Sequence, residues 1–285
     1  MTRRKLLRLA SLAAIASEMT GQVSDAAGPQ RVTLLTAPLE VKGDWNGSSP
    51  NDALAVIARA RQACLGGIRL LSDQQPARLR IDDHRSGPPY VWLHSDQPDT
   101  AWVIVDIGPR DWSRLAYQFG HELGHVMANS WRWGDGPKPP SQWLEESVVE
   151  AFSIRGLALL ADGWQVNPPF PHDSAFAAAI RRYRANVLDG YRQAAAATDL
   201  GAWCRAGRPA LAAGLRAPEG PAVAPIVAAM ESDKGCVEDI GALNRWPERS
   251  GLPTEAYLQA WQRSCAEITS PGLLPRKISK MLNLG

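Results

Sequence analysis

The spacing of hydrophobic and polar positions divides the chain into a first part of mixed character and a second part of helical character. Before about residue 110, short apolar and β-branched runs predict strands, and one helical pattern runs from Asn51 to Cys64 with Asn51 or Asp52 as its cap. The predicted strands are Arg31 to Val41, Ile68 to Leu71, Leu79 to Ile81, Tyr90 to His94 and Ala101 to Ile107. The last two strands flank the polar sequence SDQPDT, which predicts a hairpin turn.

After residue 110 the apolar positions recur at helical spacing. Asp111 can cap a helix that runs to about Asn129, and Ser141 can cap a second helix through Leu160. The stretch Gly134 to Pro140 is rich in Gly and Pro and predicts a loop between them. Further helices are predicted over Ser174 to Ala197, Leu200 to Leu215, Pro221 to Met230 and Thr254 to Ile268. We therefore predict an α+β fold, with a mixed α/β N-terminal part containing a short sheet and an all-helical C-terminal part.

The N-terminal segment has a different pattern from the rest of the chain. Four basic residues within the first eight positions precede the apolar run Leu9 to Ala16, which is typical of a secretory signal and too short to span a bilayer as a settled helix. A disordered basic tail is the alternative interpretation. We predict a signal segment over 1–28, an α/β subdomain over 29–135 and a helical subdomain over 136–285. The predicted location is the periplasm or the outside of the cell, without a stable membrane span once the signal is removed.

Charge and cysteine usage narrow the possible functions. Residues 1–28 hold four of the 31 basic and two of the 29 acidic residues, so the remainder has 27 of each and no net charge. A neutral chain has no general attraction for phosphate backbones, which disfavours nucleic acid as a partner. The chain has four cysteines, which in an oxidising compartment could form one or two disulfides, with buried free thiols as the alternative.

The most informative chemistry lies in the predicted helix after Asp111. His121 and His125 are four positions apart, so on a helix their imidazoles project from one face and can bind the same metal ion. Glu122 is offset from them, where its carboxylate can meet a water molecule bound to the ion rather than the ion itself. Gly120 and Gly124 weaken the same helix by about 1 kcal/mol each relative to alanine, which indicates close backbone packing there.

A metal ion held by two histidines needs a third protein ligand if one position is to stay open for water. The nearest suitable donor is Glu146, at the start of the next predicted helix and 20 residues beyond His125, which leaves room for the chain to reverse. Glu145 is the competing donor. On a helix, however, Glu145 shares a side with apolar residues, whereas Glu146 shares one with Glu150, so Glu146 is favoured.

The segment His-Glu-Leu-Gly-His at 121–125, followed by Trp-Leu-Glu-Glu at 143–146, resembles the gluzincin superfamily of zinc metallopeptidases. The resemblance covers about Asp111 to Leu160. It implies a zincin-like fold with the active site between the two parts, a Zn²⁺ ion held by His121, His125 and Glu146, and Glu122 as general base toward a zinc-activated water. It further implies that Glu150 hydrogen-bonds the first histidine ligand, although many relatives have aspartate at this position.

The same resemblance bears on substrate binding. It implies that the strand Ala101 to Ile107 is the sheet edge along which an extended peptide lies. The Gly-x-Met-Glu-Asn motif of related aminopeptidases is absent from this strand, which favours an endopeptidase. His172, Tyr183 and Tyr191 are the candidates for stabilising an oxyanion. We interpret most of the 11 tryptophans, including those near the two metal-binding helices, as core residues, and His84 and His94 as non-ligands.

These observations predict an exported zinc metallopeptidase that acts on a peptide or protein substrate. Two alternatives remain open. One is a zincin-fold binding or scaffolding protein without catalytic activity, and the other is a zinc hydrolase that acts on cell-wall material. The intact Glu122 argues against the first alternative, and the number of tryptophans would suit the second.

Overall fold

The structure is a computed structural model that describes residues 33–84, 87–92, 97–132, 143–212, 220–247 and 251–284. The predicted signal segment 1–28, the predicted loop Gly134 to Pro140, the Ser141 cap and the subdomain boundary at residue 135 lie outside the described residues. The described residues belong to one compact unit, Val32–Gly285. They have mixed α+β structure that is mostly helical, as predicted.

A sheet of described strands lies in the N-terminal half. Its strands are β1 (Leu39–Gly43), β2 (Arg78–Asp83), β3 (Tyr90–Trp92) and β4 (Thr100–Val105), in the order β1-β2-β4-β3. The first three in this order are parallel, and β3 pairs antiparallel with β4, with Val91 opposite Val103. The antiparallel pairing of the two runs around SDQPDT is therefore confirmed. Because β4 is almost entirely buried, its continuous apolar sequence is that of an interior strand.

Two predictions about the strands are wrong. The strand of residues 101–107 is not the sheet edge, because β4 pairs on both sides and β3 lies outside it. The segment Ile68 to Leu71 forms no strand. Its backbone polar groups are partly satisfied by a side chain instead, since the Gln75 amide donates to the carbonyl of Leu70 over 2.9 Å. The strand predicted from Arg31 also starts later, at Leu39, after a turn in which Ala37 N–H donates to the carbonyl of Thr33.

The described α-helices largely follow the predicted periodic segments, with two additions near the C-terminus. They are α1 (Pro50–Leu65), α2 (Trp112–Met127), α3 (Trp143–Val166), α4 (Ala177–Ala196), α5 (Leu200–Ala212), α6 (Gly220–Ser232), α7 (Lys234–Glu238), α8 (Thr254–Glu267) and α9 (Leu273–Met281). Helices α7 and α9 were not predicted. Asp111 caps α2 as predicted, but the cap of α1 is Ser49, which accepts a hydrogen bond from Asn51 N–H.

Helix α3 is the central element of the fold. It has buried residues on all its sides and packs against α1, α2, α4 and α6. Its neighbour α2 also contacts β4, which connects the helical part to the sheet. The two helices run antiparallel, because Gly120 lies against Ser153 whereas Gly124, further along α2, lies against Val149. The close packing predicted for both glycines is confirmed.

The four cysteines are buried free thiols, so the disulfide alternative is wrong and the free-thiol alternative is correct. Burial raises the pKa of the Cys64 thiol to about 12, which keeps it neutral at physiological pH. In the part of the chain that the structure describes, no helix is both long enough and apolar enough to cross a bilayer.

Candidate metal centre

The structure brings the three predicted metal donors together. His121 and His125 project from α2, and Glu146 projects from the first turn of α3. Their ligand atoms all lie within 4.8 Å of one another, with Glu146 Oε2 3.3 Å from His121 Nε2 and 3.5 Å from His125 Nε2. A cluster of two imidazoles and one carboxylate at these distances could hold a metal ion.

His121 is oriented by a carboxylate on its other ring nitrogen. Its Nδ1 atom lies 2.9 Å from Glu150 Oε2, and the other oxygen of Glu150 accepts a hydrogen bond of 2.5 Å from the Tyr117 hydroxyl. The predicted contact between Glu150 and the first histidine is therefore confirmed. An ionised carboxylate can only accept, so Nδ1 carries a proton and Nε2 faces Glu146, where it can bind a cation once it has lost its own proton.

His125 is oriented in the same way by Glu145. The Nδ1 atom of His125 lies 2.8 Å from Glu145 Oε1, which also accepts from the Ser130 hydroxyl. The other oxygen, Glu145 Oε2, accepts from the Asn244 amide over 2.8 Å. Glu145 thus contacts His125 on the side away from Glu146. Glu145 was the alternative to Glu146 as third metal donor, and it is not part of the three-donor cluster.

Glu122 is buried on α2 between the two histidines in sequence, and it does not belong to the three-donor cluster. That its carboxylate meets a metal-bound water rather than the ion stays a prediction. Burial raises the pKa of Glu122, and although the positive charge of both histidines opposes that effect, the net shift is upward. A carboxylate with a raised pKa is better able to accept and hold a proton near neutral pH.

The pKa values of the donors reflect their mutual contacts in the metal-free protein. Burial lowers the pKa of His121, but hydrogen bonds to Glu146 and Glu150 outweigh it and raise this pKa to about 10. Burial also lowers the pKa of His125, yet the charge of Glu146 and the hydrogen bond to Glu145 raise it well above its usual range. For Glu146 burial raises the pKa, and the attraction of both histidines lowers it by more, to well below the usual range.

The candidates for oxyanion stabilisation lie in different surroundings. Tyr183 on α4 packs edge-on against Tyr117, with ring centroids 5.7 Å apart, and Tyr117 in turn donates to Glu150. Tyr183 is therefore connected to the Nδ1 side of His121, where Glu150 binds. Tyr191 is half-buried on the same helix, and His172 is exposed in a turn with φ of 64°. None of the described contacts of Tyr183 or His172 reaches the Nε2 atoms, and an oxyanion role for these three residues stays a prediction.

The aromatic residues near the site are part of the core. Trp112, Trp131 and Trp143 are buried as predicted, and Trp133 lies outside the described residues. His84 is not in the donor cluster, and His94 also lies outside the described residues.

Sequence reasoning missed the hydrogen-bonding roles of Tyr117, Ser130 and Asn244. Only Tyr117 has a local signal, because it is one helical turn before His121 on the same face.

Comparisons with known proteins add no family assignment. Neither protein-family models nor curated proteins nor solved structures provide a match to this chain. The donor cluster of His121, His125 and Glu146 is compatible with a zincin motif.

Proposed function

We propose that the chain is a zinc-dependent peptidase of the gluzincin type, exported from the cytoplasm, with His121, His125 and Glu146 as metal ligands. The observation that carries the proposal is the convergence of these three donor atoms within 4.8 Å, from two helices that are antiparallel and in close contact. Both histidines also have a carboxylate on Nδ1, an arrangement that orients histidine ligands in metalloproteins.

The donor set suits zinc. Two imidazole nitrogens and one carboxylate oxygen are the ligands that hydrolytic zinc sites use, and three protein ligands leave one tetrahedral position open. Four carboxylates, those of Glu122, Glu145, Glu146 and Glu150, surround two imidazoles in this largely buried region. Even with both histidines protonated, four ionised carboxylates would leave an excess of negative charge. A divalent cation that takes the place of the two histidine protons supplies the same positive charge, so the carboxylates stabilise it as they stabilise those protons.

The reaction proposed for this site is hydrolysis of a peptide bond. When bound, zinc supplies Lewis acidity, which polarises a carbonyl group and lowers the pKa of water. Glu122 accepts the proton from the attacking water and donates it to the leaving amine, since its raised pKa suits both steps. Glu145 and Glu150 hold the imidazole rings in place, so that both Nε2 atoms keep their direction during the reaction.

The β3 edge of the sheet is the proposed binding surface for an extended substrate. Of the described strands, β1 and β3 lie at the two edges of the sheet, and β3 contacts α2. A peptide can add to such an edge by backbone hydrogen bonds, which bind many side-chain sequences with little discrimination. This mode of binding does not require a free substrate N-terminus, in agreement with the expected endopeptidase activity.

The test is incubation of the purified, zinc-loaded chain with an unfolded protein and, separately, with peptidoglycan. We expect the unfolded protein to be cleaved at internal bonds, cleavage to stop after chelation, and activity to return with added Zn²⁺. Release of peptidoglycan fragments without proteolysis would replace the peptidase proposal with a cell-wall hydrolase. Stoichiometric zinc without either activity would favour a binding protein.

A further inference from the structure

We propose that Asn244 and Tyr257 are positioning residues of the metal centre. They hold Glu145 against His125 Nδ1 and thereby keep His125 Nε2 aimed at the metal ion. The inference rests on the metal site of the proposed function, but it does not depend on whether the substrate is a peptide. Both residues lie about 100 positions or more beyond Glu145, in the helical C-terminal part of the chain.

A continuous chain of hydrogen bonds leads from Tyr257 to the metal ligand. The Tyr257 hydroxyl donates to Asn244 Oδ1 over 2.7 Å, and Asn244 Nδ2 donates to Glu145 Oε2 over 2.8 Å. Glu145 Oε1 lies 2.8 Å from His125 Nδ1. Asn244 Nδ2 also donates to the Ser130 hydroxyl over 3.1 Å, and that hydroxyl donates to Glu145 Oε1. Asn244 therefore fixes both oxygens of Glu145, one directly and one through Ser130.

The Glu145 carboxylate determines which way the Asn244 amide points, and the Tyr257 hydroxyl satisfies the amide oxygen in that orientation. An amide oxygen and an ionised carboxylate can both only accept, so Oδ1 faces the Tyr257 hydroxyl, which donates to it. The NH₂ group then faces Glu145. In the opposite orientation the amide oxygen would face the carboxylate, and the two would repel each other. Tyr257 is 1% exposed and Asn244 is 5% exposed, so water has little access to replace either bond.

The backbone places Asn244 for this role. Its φ of 57° is in the left-handed region, which asparagine tolerates better than most residues. The segment before it is attached to the end of α2 by Asn129, whose Nδ2 donates to the carbonyls of Gly241 over 3.0 Å and Leu243 over 2.7 Å. The C-terminal end of the metal-binding helix thus binds the same segment that supplies Asn244.

The experiment measures Zn²⁺ affinity by competition with a chromophoric chelator, and the visible absorption of the Co²⁺ form, in Asn244→Asp, Asn244→Gly and Tyr257→Phe. Aspartate keeps the shape and backbone tolerance of asparagine but lacks the N–H donors. We expect Asn244→Asp to weaken Zn²⁺ binding by roughly 10–100-fold, the usual effect of losing an outer partner of a histidine ligand. Asn244→Gly and Tyr257→Phe should show smaller losses, and all three should shift the Co²⁺ absorption bands.

Full affinity in Asn244→Asp, or an unchanged Co²⁺ spectrum in all three variants, would overturn the inference. Should Asn244→Asp not fold, as judged by circular dichroism, the other two variants decide. Ser264→Ala is the matched control, because Ser264 is a buried hydroxyl residue of α8 that binds Arg245 rather than Asn244. Its Zn²⁺ affinity should equal that of the wild type.

A double-variant cycle tests whether Asn244 acts through Glu145. In a Glu145→Ala background, Asn244→Gly should cause no further loss of Zn²⁺ affinity, whereas a full additional loss would contradict the inference. The inference and the proposed function fail in distinguishable ways. If all the Asn244 and Tyr257 variants bind Zn²⁺ as tightly as the wild type does, only the inference is overturned. A wild type that binds no metal overturns both, and a zinc-binding wild type without peptidase activity overturns only the peptidase.

Discussion

Gly124 of α2 lies so close to Val149 of α3 that a Cβ atom at position 124 would be 2.8 Å from Val149 Cβ. This contact is in the middle of the pair of helices that carries His121, His125 and Glu146. Gly124→Ala should destabilise the fold by about 1–2 kcal/mol, because overpacking costs more than the gain in helix propensity. Because the helices must separate, we also expect weaker Zn²⁺ binding. Urea unfolding of the metal-free protein and chelator competition measure the two effects.

Gly163→Ala is the control for that substitution. Gly163 is an exposed residue of α3, and an added Cβ atom there would meet nothing within 4 Å. This variant should gain up to about 1 kcal/mol of stability from helix propensity and bind zinc as the wild type does. Equal effects of the two substitutions would contradict the role given to the close contact.

Glu146→Gln should reduce Zn²⁺ affinity more than Glu145→Gln does. Glu146 supplies one of the three converging donor atoms, whereas Glu145 contacts the ring nitrogen of His125 that faces away from the cluster. We expect a loss of roughly 10–100-fold for Glu145→Gln and a greater loss for Glu146→Gln. Metal analysis after dialysis against a buffer of fixed free Zn²⁺ measures both. The reverse order would make Glu145 the ligand.

Glu122→Gln should separate metal binding from catalysis. Glutamine has the shape of glutamate but cannot accept the proton, so hydrolysis should fall by roughly 10²–10⁴-fold, the usual contribution of a general base. The zinc content should remain that of the wild type, because Glu122 is outside the donor cluster. Rates on an unfolded protein and metal analysis of the same preparation test this prediction. Loss of zinc together with activity would assign Glu122 to the ligands.

Zinc affinity should increase with pH. In the metal-free protein the carboxylates around His121 raise its pKa to about 10, and the pKa of His125 is raised as well, so both rings hold protons at neutral pH. Metal binding must displace these protons, which makes it weaker as pH falls. Calorimetry in buffers of different ionisation enthalpy counts the protons released. Binding at pH 7 without proton release would contradict the assignment of both histidines as ligands.

The stability of the metal-free protein should follow the opposite trend with alkaline pH. A raised histidine pKa contributes stability that is fully present below the unfolded value of about 6.5 and is lost as pH rises through the folded value, about 10 for His121. The lowered pKa of Glu146 contributes stability that is present above about 4.5 and is lost as pH falls below it. Urea unfolding should therefore show a free energy of unfolding that declines between about pH 6.5 and 10. In His121→Gln this decline should be smaller.

Part of the fold follows directly from local sequence. The helices α2 and α3 were predicted because their apolar positions recur at helical spacing and Asp111 precedes the first of them. Helix α9 was missed although Leu274, Ile278 and Met281 recur at helical spacing, because it has only 9 residues and Pro275 lies within it. The strand Ile68 to Leu71 was predicted from β-branched and apolar residues, but the Gln75 side chain binds the backbone there. A glutamine several residues away gives no local signal of that competition.

For the site, the sequence by itself determined the spacing of His121, Glu122 and His125, because a helix of 3.6 residues per turn fixes which side chains share a face. It also favoured Glu146 as the third donor. Only the tertiary structure decided that Glu145 contacts His125 from behind, that Asn244 and Tyr257 contact Glu145 in turn, and that β4 lies inside the sheet. These relationships join residues far apart in sequence. They depend on how whole elements pack, and no local period of the chain encodes that packing.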